Sequence, residues 1–161
     1  MSDVTALDGS VTVTVPSSPK YLRIVRRVLE AYMEDLSLDP AELQHIILAV
    51  DEACSNVIKY AYAFDDTKKI SVSVSDTTGQ LEFTIRDFGK KPDVTSITPR
   101  DLDDVRPGGL GTHFIQCVMD EVSYDLNNDV GTLLSMSINY RAAETAEKVD
   151  CHGIRNSSPS P

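Results

Sequence analysis

The sequence predicts an α/β (α+β) two-layer sandwich, a mixed β-sheet with its helices on one face. Three observations carry that prediction. Apolar spacing switches between about two and about 3.6 residues in the order strand, helix, helix, strand, strand, helix, strand, strand. The helical stripes are one-sided, so each helix needs a sheet to cover it. Finally, 161 residues that are 41% hydrophobic suffice for one sizeable core and give no sign of a second.

The first strand is Ser10 to Val15, where Val11, Val13 and Val15 alternate with small polar residues until Pro16 stops the run. From Lys20 the period lengthens, and Ile24, Val25, Val28, Leu29, Tyr32, Met33 and Leu36 make one helical stripe. A second helix has a marked start: Asp39 can cap free amides, Pro40 suits the first helical position, and Glu42 follows the cap by three residues. Its inward stripe is Leu43, Ile46, Val50, Ala53, Val57 and Ala61. Ile70, Val72 and Val74, then Leu81, Phe83 and Ile85, form a hairpin around a turn at Asp76 to Gly79. Phe88 to Gly111 loses all period apart from a helical turn at Asp101 to Val105, and such a long connection is usually functional or mobile. Ile115, Val118 and Met119 resume a helix over Thr112 to Met119. Val122 to Leu126 and Thr132 to Ile138 then close a hairpin across Asn127 to Gly131. The domain is expected over 1–140, with 141–161 a disordered tail poor in apolar residues.

A net charge of −10, spread through the chain, argues against direct binding of nucleic acid. A basic protein partner fits the sign, although solubility alone accounts for it. Cys54, Cys117 and Cys151 are odd in number and lack metal-ligand spacing, which suits free thiols in a reducing compartment. The first residues carry no secretory pattern, and no apolar run approaches the roughly 18 residues of a membrane span. A cytoplasmic protein without membrane contact is expected.

Three stretches hold residues suited to chemistry. In IILAVDEACSNVIKYAY, Glu52 and Asn56 lie one turn apart beside the apolar stripe, in a lateral column with His45 and Ala49. A pocket at the sheet's edge would see a carboxylate and an amide there; taken alone, the pair also reads as the first polar residues beyond a core face. In LEFTIRDFG, Asp87 at a strand end can accept from an exocyclic amine and Gly89 lets a flat ring approach the backbone, or the two simply make a turn. In RPGGLGTHFI, Gly108, Gly109 and Gly111 before a helix can offer amides to phosphate, or form a flexible connection.

Together, in order and at this spacing, DEACSNVIKYAY, RDFGKKPD and RPGGLGTHFI resemble the three nucleotide-binding boxes of the Bergerat-fold, histidine kinase-like ATPases, over about Val11 to Ile138. Within that superfamily the chain looks like the small stand-alone anti-sigma factor serine/threonine kinases, through AVDEACSNVIKYAY and GGLGTHFIQCVMDEVSYD. With no phosphoacceptor-histidine region before the match, a sensor histidine kinase is disfavoured. The resemblance implies ATP and Mg2+ as cofactors. It places Glu52 as general base, Asn56 as magnesium ligand, Asp87 on the adenine amine and Gly89 beside the base. Gly108, Gly109, Leu110, Gly111 and Thr112 fall in the phosphate loop, and Thr132 near the adenine. Arg106 could neutralise terminal phosphate charge, or be a plain surface arginine.

The implied function is an anti-sigma factor kinase that phosphorylates an anti-sigma factor antagonist and otherwise holds a sigma factor. The alternatives are a nucleotide-binding module that sequesters a partner without phosphotransfer, and a slow ATPase. Relatives suggest a homodimer, though burial within the monomer explains the first helix equally well. Two positions depart from the pattern: Lys90-Lys91-Pro92 replaces a second glycine, and Tyr60, beside Lys59, stands where relatives carry a basic residue. Asp51 is read as a solvated neighbour of Glu52.

Overall fold

The structure is a computed structural model that describes residues 3–7, 9–77, 79–91, 110–127 and 129–140. In chain order the elements are β1 (Asp3–Leu7), β2 (Ser10–Pro16), α1 (Leu22–Met33), α2 (Pro40–Asn56), β3 (Lys69–Asp76), β4 (Gln80–Arg86), α3 (Leu110–Val118), β5 (Glu121–Asp125) and β6 (Leu133–Asn139). The strands form one sheet in the order β1-β2-β3-β4-β6-β5. One sheet face is apolar: Val13, Val15, Ile70, Val72, Val74, Leu81, Phe83, Ile85, Leu134, Met136 and Ile138 are all buried, together with inward residues of the three helices. The opposite face is hydroxyl-rich, with Thr12 bonded to Ser73 and Thr14 to Ser71, each at 2.8 Å. The two-layer sandwich is the architecture expected.

The sheet itself is antiparallel in every recorded pairing, not mixed. Two helices stand between β2 and β3, and with the chain reversing at each connection β3 returns antiparallel to β2. The crossover β4-α3-β5 does make β4 and β5 run the same way, but β6 inserts between them and pairs antiparallel with both. A further strand, β1, precedes those expected. It pairs with β2 across a turn at Gly9, whose φ of +78° suits glycine, and the Tyr32 hydroxyl of α1 donates to the Gly9 carbonyl at 2.6 Å.

At the start of α2 the capping expectation holds: the Asp39 carboxylate accepts the Ala41 N–H at 2.9 Å, with Pro40 in the first turn. The far end departs from regularity. Val57–Ala61 continues as a π-helical turn, and the Tyr62 N–H donates to the Val57 carbonyl at 3.1 Å. The wider turn rotates the end of the helix about its axis, so Ile58 enters the core while Val57 and Ala61 are only partly covered. Ile47, Ala49 and Cys54 are also buried, making the inward face wider than the stripe expected and placing Ala49 in the core rather than beside the pocket. Ala63 and Phe64, at φ of 48° and 64°, then turn the chain through the left-handed region.

The helical turn expected at 101–105 and the tail 141–161 lie outside the described residues. Among the described residues no helix is long and apolar enough to cross a membrane.

Candidate nucleotide-binding site

One turn of α2 separates Glu52 from Asn56, and both line a cleft of about 500 Å³ with Leu48, Lys59, Tyr60, Leu110, Gly111 and Phe114. The second wall is α3, seated against α2 through an edge-on contact of His45 and Phe114 with ring centroids 6.3 Å apart. Gly111 is what allows so close an approach, because a Cβ there would run into the Glu52 carboxyl group. Neither the Glu52 carboxylate nor the Asn56 amide takes a hydrogen bond or ion pair from another described residue. They are polar groups held on a cleft wall with their bonding capacity open. Asp51 differs: its carboxylate receives the Arg26 guanidinium at 2.8 Å and ties α1 to α2, so it is a paired group rather than a merely solvated one.

The end of β4 supplies a second group. Asp87 is 3% exposed; its N–H donates to the Thr132 carbonyl at 3.0 Å and its carboxylate accepts the Gly89 N–H at 2.8 Å. Burial pushes this carboxyl above the ordinary range, opposed in part by the Gly89 hydrogen bond and the neighbouring Arg86 charge. The turn that Asp87 and Gly89 could have made instead of a site is therefore real: the carboxylate accepts the Gly89 N–H, and the Thr132 backbone also favours its ionised form. Thr132 is also buried, and its hydroxyl has no partner among the described residues. A buried acceptor and an unmet hydroxyl on adjoining segments suit a ligand with both donor and acceptor edges, such as adenine.

Two glycines hold this corner together. A Cβ at Gly89 would strike the Ala61 carbonyl and the Tyr62 ring, and one at Gly131, where φ is +73°, would strike the backbone of Asp87 and Phe88. Arg86 closes the outside, donating to the Asp87 carbonyl at 2.8 Å and the Val130 carbonyl at 2.9 Å while its guanidinium lies 4.5 Å from the Phe88 ring centroid. The continuation of α2 reaches the same corner, since the Lys90 N–H donates to the Ala61 carbonyl at 2.9 Å. One continuous framework thus carries Glu52, Asn56, Asp87 and Gly89.

Of the glycine-rich stretch, Leu110, Gly111 and Thr112 form the first residues of α3, with Leu110 exposed and Thr112 partly covered. Arg106, Gly108 and Gly109 lie outside the described residues. Lys59 and Tyr60 line the cleft, whereas the Lys91 ammonium donates to the Leu126 carbonyl at 2.8 Å. Sequence reasoning passed over Tyr62, Arg86 and Gly131. A glycine directly before Thr132 was the available signal for the last; nothing local marks the other two.

The geometry is matched by kinship. A family model described as Histidine kinase-like ATPase domain matches residues 15–138. The chain is 28% identical over 151 residues to the Serine-protein kinase RsbW of Bacillus velezensis, covering 89% of this chain and 90% of that one. It is 27% identical over 137 residues to the protein of the same name from Bacillus subtilis, covering 80% and 86%. Among solved structures, a chain from the crystal structure of the SiaB-SiaC complex from Pseudomonas aeruginosa superposes with a TM-score of 0.64 at 15% identity, over 79% of this chain and 88% of that one. At that identity the likeness is one of fold.

Proposed function

Because the chain belongs to the histidine kinase-like ATPase domain family, we propose that it is an ATP-dependent serine/threonine protein kinase acting as an anti-sigma factor, with an anti-sigma factor antagonist as phosphoacceptor. The observation that carries this reading is the Glu52 carboxylate, unpaired among the described residues, on the cleft wall against Gly111 at the start of α3. Nucleotide recognition alone does not need that carboxylate. Relatives named serine-protein kinases support the choice of a protein hydroxyl as acceptor.

In this reading the adenine amine donates to Asp87, the ring lies beside Gly89, and Thr132 offers its unmet hydroxyl. Gly108, Gly109, Leu110, Gly111 and Thr112 carry backbone amides to the phosphates, and Arg106 contributes charge. Glu52 accepts the proton of the incoming serine or threonine hydroxyl. The oxygen of that serine or threonine then bonds to the terminal phosphorus as the bond to the bridging oxygen breaks, and ADP leaves.

Asn56 fits a magnesium ligand, because its amide oxygen is uncommitted and magnesium keeps most of its shell as water and phosphate oxygen. Among the described residues no group of three or more histidine, cysteine or acidic side chains could form a protein cage, so the nucleotide would supply the remaining ligands. When bound, the ion neutralises charge on the transferring group.

The sigma factor, a homodimer and a cytoplasmic setting belong to the same proposal and rest on resemblance. The stripe of α1 does not argue for a dimer, since Leu22, Val25, Leu29 and Met33 are buried within the monomer. The test is incubation with Mg2+, terminally labelled ATP and a panel of candidate antagonist domains. Label on a partner is the expected result; free phosphate alone would indicate an ATPase, and neither product a sequestering module.

A further inference from the structure

Tyr62 takes no part in the nucleotide contacts proposed for Asp87, Gly89 and Thr132, yet its hydroxyl is fully committed. It donates to the Lys69 carbonyl at 2.7 Å and accepts the Phe88 N–H at 2.8 Å. The residue is 6% exposed, and its ring lies under Gly89 so closely that a Cβ on the glycine would come within 2.8 Å of it. Beside it, the Ala61 carbonyl receives the Lys90 N–H at 2.9 Å. The two amides on either side of Gly89 are therefore both held by consecutive residues at the end of the α2 continuation.

We propose that Tyr62 is a positioning residue for the nucleotide: with the Ala61 carbonyl, its hydroxyl fixes the Asp87–Gly89 turn relative to Glu52 and Asn56. This rests on the nucleotide-binding reading of the site. A purine and its terminal phosphate are joined covalently, so the spacing between the group that holds the base and the groups that act on the phosphate must be set by the protein. The described link between them is short: Asn56, the π-helical turn Val57–Ala61, then Tyr62 bonded to Phe88.

The π-helical turn is what makes the link possible. An extra residue in the turn rotates Tyr62 about the helix axis relative to a regular α-helix, toward β3 and the end of β4. The Phe64 N–H then bonds the Ile58 carbonyl at 2.8 Å, and Ala63 and Phe64 take left-handed backbone angles that end the helix at that rotation. Non-glycine residues in that region are uncommon and gather at functional sites. Packing alone would be met by phenylalanine. The hydroxyl bridging two backbone segments is the feature that packing leaves unexplained.

Tyr62→Phe removes the bridge and keeps the ring. It removes both hydrogen bonds of the hydroxyl, to the Lys69 carbonyl and from the Phe88 N–H; because only the second reaches the Asp87–Gly89 turn, the expected effect is a rise of about tenfold in Kd and KM for ATP, with a matching loss for adenosine. The kcat for phosphotransfer should fall less than the affinity, because Glu52 and Asn56 themselves are unaltered and only their spacing to the base is loosened. An unchanged Kd, or a kcat that falls as far as the affinity, overturns the proposal. A measurement on the unaltered chain guards against a variant that fails to fold: hydrogen exchange should show the Phe88 and Lys90 amides protected without nucleotide, and free exchange at both would contradict it. If the unaltered chain binds no ATP, the underlying reading fails and this proposal with it, an outcome distinct from a normal chain and an indifferent variant.

Discussion

Glu52 and Asn56 are one helical turn apart on the same wall, but they make different demands on the nucleotide, and substitution separates them. Glu52→Gln keeps the shape of the side chain and removes its basicity, so ATP binding should persist while phosphotransfer falls by about 100-fold or more. Asn56→Ala should instead weaken binding of Mg-ATP, seen as a loss of affinity when ATP is titrated with the ion present. Unchanged transfer in Glu52→Gln would reject the proposed base. Asp87 makes a prediction of another kind. Burial holds its folded carboxyl above the ordinary range, so the folded chain takes up the proton more readily than the unfolded one. The stability it contributes is fully present below the ordinary carboxylate value and is lost as pH rises through the raised folded value. Asp87→Asn cannot ionise, so at neutral pH it should melt no lower than the parent, with that advantage vanishing in acid. It should nevertheless bind ATP about tenfold or more weakly, because an amide N–H then faces the adenine amine. Thermal melts across pH and titration with ATP check the two halves separately.

At the scale of elements, the meeting of α2 and α3 decides whether the cleft exists. Gly111→Ala would force the Glu52 carboxylate aside, so phosphotransfer should fall even if the fold melts normally. The helix start is easier to quantify: Asp39→Ala removes the cap on α2 and should cost about 1 kcal/mol of stability in denaturant unfolding. That cap was legible in the sequence because it depends on residues within one turn of one another. So were the inward faces of β2, β3, β4 and β6, whose alternation of apolar and hydroxyl residues fixes their register against a helical layer. The π-helical turn after Asn56 was not legible. Its sequence, VIKYA, satisfies ordinary helical spacing, and the turn is held through the Asp87–Gly89 corner, where the Phe88 N–H reaches a tyrosine 26 residues back in the chain. For the same reason nothing local in the sequence marks Tyr62 as a bridge between segments.

For the whole molecule, the site depends on a sheet that brings β4 and β6 together, since Asp87 comes directly after one and Thr132 directly before the other. Phe83, fully buried at the centre of β4, holds that pairing against the helices. Phe83→Ala should destabilise the chain by about 3–5 kcal/mol, measured by denaturant unfolding, and lower ATP affinity only as far as the folded fraction falls. The expected mixed sheet failed at this scale: the β4-α3-β5 crossover is visible in the order of elements, but the insertion of β6 between those strands is a choice of partner that periodicity does not record. The three boxes were legible because each is a short run on one element. That the end of β4 lies against Thr132 and the continuation of α2 follows from the antiparallel strand order, with β6 beside β4, and from the Phe88 and Lys90 bonds to Tyr62 and Ala61; one nucleotide spanning that corner and the α2–α3 cleft is what the proposed function requires. Titration calorimetry with ATP and Mg2+ tests that union most directly: a single saturable binding event that Asp87→Asn weakens is the predicted result, and no detectable binding at millimolar nucleotide would contradict it.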